Sequence, residues 1–419
     1  MQREPVSTAK VVTSFAVGDL LERAMLDRLI IRMIGAAFDR GCLGQLQLTL
    51  PSGASVMFGT GQREATPRVV LKTYRVLWSM LSRGPLGFAE SYMAGDVDCD
   101  NLLDLFGFLM DNEHLLTQSS VLSAPGWVDR IYHRLRANTR TGSRRNIAAH
   151  YDLGNVFYQL WLDAGMTYSS GIFTTPDTTL EMAQTEKYEQ ILDGLDLQSD
   201  QSLLEIGCGW GGFAEAASAR AASVTGITIS EEQFAAASAR MAAAGVADRV
   251  DIRFQDYRET SGQFDRIASI EMIEAVGEAN WPTYFRTIAD RLKPGGKAVV
   301  QAITIRRDYF EAYRRNPDFI QRYVFPGGML PTEDIMGAQA RASGLGFETL
   351  QVFGASYAMT LADWRRRFLA AWPQVAALGF DERFKRLWLY YLAYCQVGFE
   401  RGSVQVGLYR FTKPQAGVA

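Results

Sequence analysis

Apolar residues recur at helical spacing in LLERAMLDRLIIRMIGAAF, then in short β-like runs, LGQLQLTLPSGASVMFG and PRVVLKTYRVL. This pattern predicts a mixed α and β region over roughly residues 1–125, with no catalytic signature of its own. From Asn146 the rhythm changes. Helical spacing covers Ile147 to Leu162 and Leu180 to Leu195. Strands and helices then alternate: SLLEIG, a helix through FAEAASARA, SVTGITI, a helix from Glu231 to Ala243, VDIRF, FDRIASI, a helix around TYFRTIADRL, and KAVVQAITI. ARASGLGFETLQVFG adds a helix–strand unit, and VQVGLYRFT reads as a last, antiparallel edge strand. Short strands alternating with helices predict an α/β fold with a doubly wound, mostly parallel sheet over residues 146–419.

The strand–helix junction LLEIGCGWGGFAE carries Gly207, Gly209 and Gly212. Their spacing fits both the dinucleotide fingerprint G-x-G-x-x-G and the looser loop of S-adenosylmethionine binders. A dinucleotide fold places an acid at the tip of the second strand to hold the ribose. Here that strand ends GITIS, with Thr228 at its tip, which counts against NAD. LKPGGK, Leu292 to Lys297, reads as a turn leading into a buried strand, as in methyltransferase sheets. Methyl transfer is therefore the leading reading, with a nucleotide-dependent oxidoreductase as the rival.

Composition narrows the classes. The 419 residues are 47% hydrophobic and 21% charged, with a formal net charge of −3, so nothing draws the chain to nucleic acid. Four scattered cysteines form no CxxC pair, which argues against a zinc site or disulfide framework and fits a reducing cytoplasm. LIIRMIGAAF is too short and too charged to span a bilayer, so any membrane association is peripheral. One local exception stands out: the linker at 126–145 carries six arginines from Arg130 to Arg145, which reads as a solvated linker or as a patch facing anionic lipid.

Longer segments are more specific. NIAAHYDLGNVFYQLWLDAGMTYSSGIF, LLEIGCGWGGFA, GITISEEQ, SIEMIEAVGEANWPTYF and QRYVFPGGMLP together resemble the cyclopropane-fatty-acyl-phospholipid synthase family, which includes mycolic acid and unsaturated fatty-acid C-methyltransferases. GFAESYMAGD is similar to that family's N-terminal domain. The resemblance implies a Rossmann-like, seven-stranded methyltransferase domain behind a smaller α+β domain that docks lipid or a second subunit. It implies S-adenosylmethionine as methyl donor and a cis double bond of a phospholipid acyl chain as acceptor, met at the inner membrane surface. By that resemblance the cofactor contacts fall on Tyr168 and Ser169, Gly207 and Gly209, Thr228 and Gln233, and Asp256 and Tyr257.

An alkene is a weak nucleophile, and methyl transfer to it makes a carbocation that must lose a proton in a dry site. The family holds a bicarbonate ion as base, and the resemblance places that ion at Ser170, Glu274, Gln301 and Tyr357. Ser170 and Gln301 stand where cyclopropane synthases commonly carry cysteine and histidine, and Ala275 replaces a second histidine. Serine and glutamine still donate hydrogen bonds to an anion but bring no titratable proton near neutral pH. Two products stay open: a cyclopropane, with bicarbonate held by neutral donors, or a methylated or methylene-bearing chain after a hydride shift. A non-catalytic lipid-binding homologue is a third reading. His150 is a candidate acid–base group, while Glu271, on the same turn as Glu274, has no role that the resemblance offers. The insertion FIQRYVFPGGML, after an arginine-rich segment, is read as a lid over the substrate, its arginines facing either lipid phosphates or solvent.

Overall fold

The computed structural model describes residues 24–35, 38, 42–59, 65–118 and 153–415. The basic linker at 126–145, His150 and the first residues of the helix expected from Ile147 lie outside them. The chain divides into two compact units, Met1–Gly126 and Trp127–Ala419.

The N-terminal unit holds a helix across 24–35 (α1), strands β1 (Leu46–Thr49), β2 (Ser55–Phe58) and β3 (Arg68–Leu71), helices α2 (Arg75–Arg83) and α3 (Pro85–Met93), strand β4 (Val97–Cys99), and helices α4 (Leu102–Asp111) and α5 (Glu113–Gln118). Its sheet runs β2-β1-β3-β4. The run PRVVLKTYRVL, expected to be β-like throughout, is strand only over Arg68–Leu71; its second half turns into α2. Helical packing of Val76 and Leu77 on the core, both buried, overrides the β propensity of TYRVL. Tyr74 Oη donates to Asp27 at 3.0 Å, tying α2 to α1, and the two helices leave Met25, Leu29 and Trp78 exposed, Trp78 by 62%.

The C-terminal unit continues with α6 (Asn155–Gln159), α7 (Leu180–Leu195), β5 (Ser202–Ile206), α8 (Gly212–Ala217), β6 (Ser223–Thr228), α9 (Glu231–Ala243), β7 (Val250–Phe254), β8 (Phe264–Ile270), α10 (Ile273–Val276), α11 (Trp281–Arg291) and β9 (Leu292–Ile305). Then follow α12 (Arg307–Arg315), a π-helical turn at Ile320–Val324, α13 (Glu333–Ala342), β10 (Gly346–Val352), α14 (Gly354–Ala370), α15 (Trp372–Ala377), α16 (Glu382–Glu400) and β11 (Val404–Thr412). Seven strands make one sheet, ordered β10-β11-β9-β8-β5-β6-β7. β5 pairs in parallel with both β6 and β8, so chain direction leaves β5 to opposite sides at its carboxyl end. That switch point is where open α/β sheets bind ligands.

Apolar runs such as SLLEI and VTGIT are buried almost end to end, as strands covered on both faces must be. Start signals are equally plain: Thr179 and Ser230 cap α7 and α9 through their side-chain oxygens. Two expectations need correction. β11 is antiparallel, but it lies between β9 and β10, and β10 forms the edge. LKPGGK is also part of β9 itself, because Gly295 N–H donates to Lys413 O and Lys413 N–H to Gly296 O, extending the ladder through the glycines.

Candidate active site

The glycine loop leaves β5 with Gly207 at φ 85° and Gly209 at φ 51°. A Cβ on Gly209 would meet nothing within 4 Å, so the loop offers bare backbone to open space, the feature a cofactor needs for close approach. The other expected cofactor positions follow at strand ends. Thr228, at the tip of β6, donates its hydroxyl to Gln233 Oε1 at 2.8 Å, so the two act as one unit. Beyond β7, Asp256 is 2% exposed and holds Arg258, whose guanidinium donates to both carboxylate oxygens at 2.9 and 2.6 Å. Tyr257 keeps a buried hydroxyl with no protein partner, and burial pushes it up to about 12. Ser169 Oγ accepts from Lys187 Nζ at 2.6 Å. The bare backbone at Gly209 and the unpartnered Tyr257 hydroxyl, beyond the carboxyl ends of β5 and β7, are compatible with the methyl donor expected there.

Tyr168 sits in an aromatic wall. Its ring lies 5.1 Å from Trp364, 5.4 Å from Tyr158, 5.7 Å from Trp161 and 6.4 Å from Phe325, and its hydroxyl meets that of Tyr391 at 3.0 Å. Phe325 belongs to the insertion after β9, and Met329 N–H of the same insertion donates to Glu274 O at 2.8 Å. The insertion thus packs against the site. The arginines before it pair with neighbouring acids: Arg306 with Asp308, Arg307 with Asp334, Arg314 with Glu278 and Arg315 with Glu311.

Three of the four residues expected around bicarbonate, Ser170, Gln301 and Tyr357, converge, but on a different partner. Glu271 emerges from β8 in a left-handed conformation, φ 47°. Its Oε1 accepts from Ser170 N–H at 2.9 Å and Gln301 Nε2 at 2.7 Å, and its Oε2 accepts from Tyr357 Oη at 2.6 Å. Ser170 does not offer its hydroxyl, which donates to Gly171 O at 2.8 Å. The second hydrogen of Gln301 Nε2 goes to Ser170 O at 3.2 Å. Glu274 stands apart: its Oε1 accepts from Ile303 N–H at 2.6 Å and its Oε2 has no partner.

The donor hydrogens of the Ser170 amide, the Gln301 carboxamide and the Tyr357 hydroxyl are therefore spent, since a tyrosine hydroxyl and a backbone amide have one each and a carboxamide two. A second anion beside the Glu271 carboxylate would also be repelled. These residues do not fit bicarbonate as a bound group.

Electrostatics separate the two carboxyls. Burial raises Glu274 to about 8, with the nearby Glu271 charge adding to the rise, so Glu274 stays protonated at neutral pH. Burial also raises Glu271, opposed by the Tyr357 hydroxyl, the Ser170 amide, Lys187 and Gln301. Lys187 is 0% exposed on the inner face of α7, and burial brings it down to about 8 against the pull of Glu271, Asp163 and Glu205. Sequence reading missed both Glu271 and Lys187. Each carried a signal: Glu271 is the charge at the carboxyl end of a buried parallel strand, and Lys187 falls on the stripe Leu180, Ala183, Gln184, Ile191 that α7 buries.

The sheet, its switch point and the glycine loop define an S-adenosylmethionine-dependent methyltransferase. Known proteins sharpen this. The family model for mycolic acid cyclopropane synthetase matches residues 138–408, and the chain belongs to that family. It is 39% identical over 350 residues to a tuberculostearic acid methyltransferase of Mycobacterium tuberculosis, covering 80% of each chain. It is 37% identical over 340 residues to the cyclopropane-fatty-acyl-phospholipid synthase of Escherichia coli, covering 78% of this chain and 83% of that one. A crystal structure of a mycolic acid cyclopropane synthase complexed with S-adenosylhomocysteine and CTAB superposes with a TM-score of 0.59 at 29% identity, covering 64% of this chain and 98% of the other.

Tyr357 is the lone donor on Glu271 Oε2, so removing its hydroxyl has a defined sign. Tyr357→Phe withdraws a hydrogen bond from the ionised carboxylate, which raises the Glu271 pKa. The acid limb of the rate–pH profile should move to higher pH, with a fall of about 10-fold or more at neutral pH. An unmoved profile would remove Glu271 from the chemistry.

Proposed function

We propose that this enzyme methylates the cis double bond of an unsaturated phospholipid acyl chain and that its product is a methylated alkene. The cyclopropane that the resemblance first implied is the other outcome of the same chemistry. The reading is carried by the Glu271 cluster, where a fixed carboxylate stands among the donors otherwise expected to hold a mobile anion. The tuberculostearic acid methyltransferase likeness supports it.

Bound S-adenosylmethionine supplies an electrophilic methyl group on a sulfonium. The chain's own residues do the rest. The glycine loop sets the donor at the carboxyl end of β5. Tyr168, Trp364, Tyr158 and Trp161 pack into an aromatic wall that excludes water, and a ring face presented to a desolvated cation is worth about 1–2 kcal/mol. The alkene π pair forms the new carbon–carbon bond while the sulfonium carbon–sulfur pair returns to sulfur, leaving a cation on the neighbouring carbon. Losing a proton from the new methyl at once closes a ring. If hydride first shifts from the methyl-bearing carbon, the same loss gives a methylene group.

Among the described residues no helix is long and apolar enough to cross a membrane. We place the enzyme at the membrane surface, where the exposed Met25, Leu29 and Trp78 offer apolar contacts to lipid.

The test is incubation with labelled S-adenosylmethionine and vesicles of cis-monounsaturated phospholipid, followed by mild hydrogenation and mass spectrometry of the fatty esters. A product with one added carbon that takes up hydrogen is expected. One that resists reduction would establish the cyclopropane instead.

A further inference from the structure

The geometry points to Glu271 as the base of the reaction: its carboxylate replaces a diffusible anion, so this enzyme should turn over without bicarbonate. The inference rests on the methylation reading above and adds the proton's destination.

Three observations carry it. The donors come from three separate elements: Ser170 N–H from the segment before α7, Gln301 Nε2 from the middle of β9, and Tyr357 Oη from α14. The segment bearing Ser170 is itself pinned to α14, because Thr360 Oγ1 accepts from Gly171 N–H at 3.1 Å and Ser356 Oγ from Phe173 N–H at 3.1 Å. Three elements held this way make a fixed socket, and the carboxylate fills it.

The backbone is bent to deliver that carboxylate. Glu271 takes φ 47°, uncommon for a residue with a side chain, and its own N–H donates to Gln301 O at 2.9 Å. Backbone strain of this kind is kept where function needs it.

The two oxygens also differ. A carboxylate oxygen has two lone pairs. Oε1 spends both, on Ser170 and Gln301, whereas Oε2 accepts only from Tyr357 and keeps one free. Oε2 is therefore the atom that takes the proton. The carbon–hydrogen pair of the substrate stays with carbon, forming the ring bond or the double bond, and the proton moves to Oε2. Burial that raises Glu271 strengthens it as a base.

The experiment uses the full chain, vesicles as above, and buffer stripped of carbon dioxide, with and without added bicarbonate. The wild-type rate should change less than about twofold on adding bicarbonate. Glu271→Gln, which keeps the shape, should lose about 100-fold or more and stay inactive in both buffers. Glu271→Gly suits the left-handed backbone and frees three donors. It should be slow without bicarbonate and recover with it. Calorimetric titration of bicarbonate into the protein saturated with S-adenosylhomocysteine gives a readout independent of turnover: no binding to wild type, binding to Glu271→Gly. Bicarbonate binding by the wild type, or several-fold stimulation of it, would overturn the inference. Failure to methylate the lipid while wild type still excludes bicarbonate would count against the substrate reading alone.

Discussion

Gly207→Val should leave a folded protein whose affinity for S-adenosylmethionine falls by about 100-fold. At φ 85° a β-branched residue is strained by about 1–3 kcal/mol, and its Cβ would lie 3.0 Å from Met272 Cγ. The strain is relieved by moving the loop, and the loop's path is what shapes the cofactor site, so the loss appears as binding at about 1.4 kcal/mol per tenfold. Gly262→Ala is the control. That glycine is also left-handed, φ 81°, but a Cβ there meets nothing within 4 Å and it lies away from the loop. It should lower thermal stability slightly and leave calorimetric binding unchanged. Equal losses of binding in both variants would refute the assignment of the loop.

The second large effect is expected at Lys187. Lys187→Met removes a fully buried cation that faces Glu271, Asp163 and Glu205, and leaves Ser169 Oγ without its donor. Removing one partner of a buried charge group should cost about 3 kcal/mol in urea unfolding at neutral pH. The pH dependence supplies the sign. In the folded protein Lys187 titrates at about 8 rather than 10.5, so the unfolded chain binds the proton more tightly. The wild type therefore gains stability from this group as pH rises from 8 towards 10.5, and Lys187→Met lacks that gain. Without the cation the Glu271 pKa rises further, so the acid limb of activity should also move upward. A variant as stable as wild type, with the same limb, would leave Lys187 without electrostatic influence on the site.

Much of the architecture was legible in the order of apolar residues. Leu180–Leu195 and Glu231–Ala243 form helices over the residues that their spacing predicted, because cap residues and a buried stripe agree there. The sheet's parallel half followed from buried apolar runs. Order within a sheet is another matter. β11 alternates like an edge strand, yet it is enclosed by β9 and β10, and pairing across such sequence distance leaves no local trace. The glycine loop announced itself by spacing, since positive φ demands glycine in particular places. The Glu271 cluster did not. Ser170, Gln301 and Tyr357 came from resemblance and do meet, but the atom they meet belongs to a residue set aside for want of a role. A hydrogen-bond socket assembled from three elements is a property of the folded chain, and Ser170 enters it through a backbone amide that every residue but proline possesses.

The place of β11 has a consequence for how the protein comes into being. β10 is joined to β9 only through residues 404–412, so its place in the sheet waits on a strand made after it. While the ribosome still holds that segment, β10 has no neighbour in the sheet and the flank of β9 stays bare. The catalytic half cannot close vectorially from its amino end. Its last act of assembly is insertion, a step with a high loop-entropy barrier during which chaperones and other unpaired strands compete for the same exposed edges.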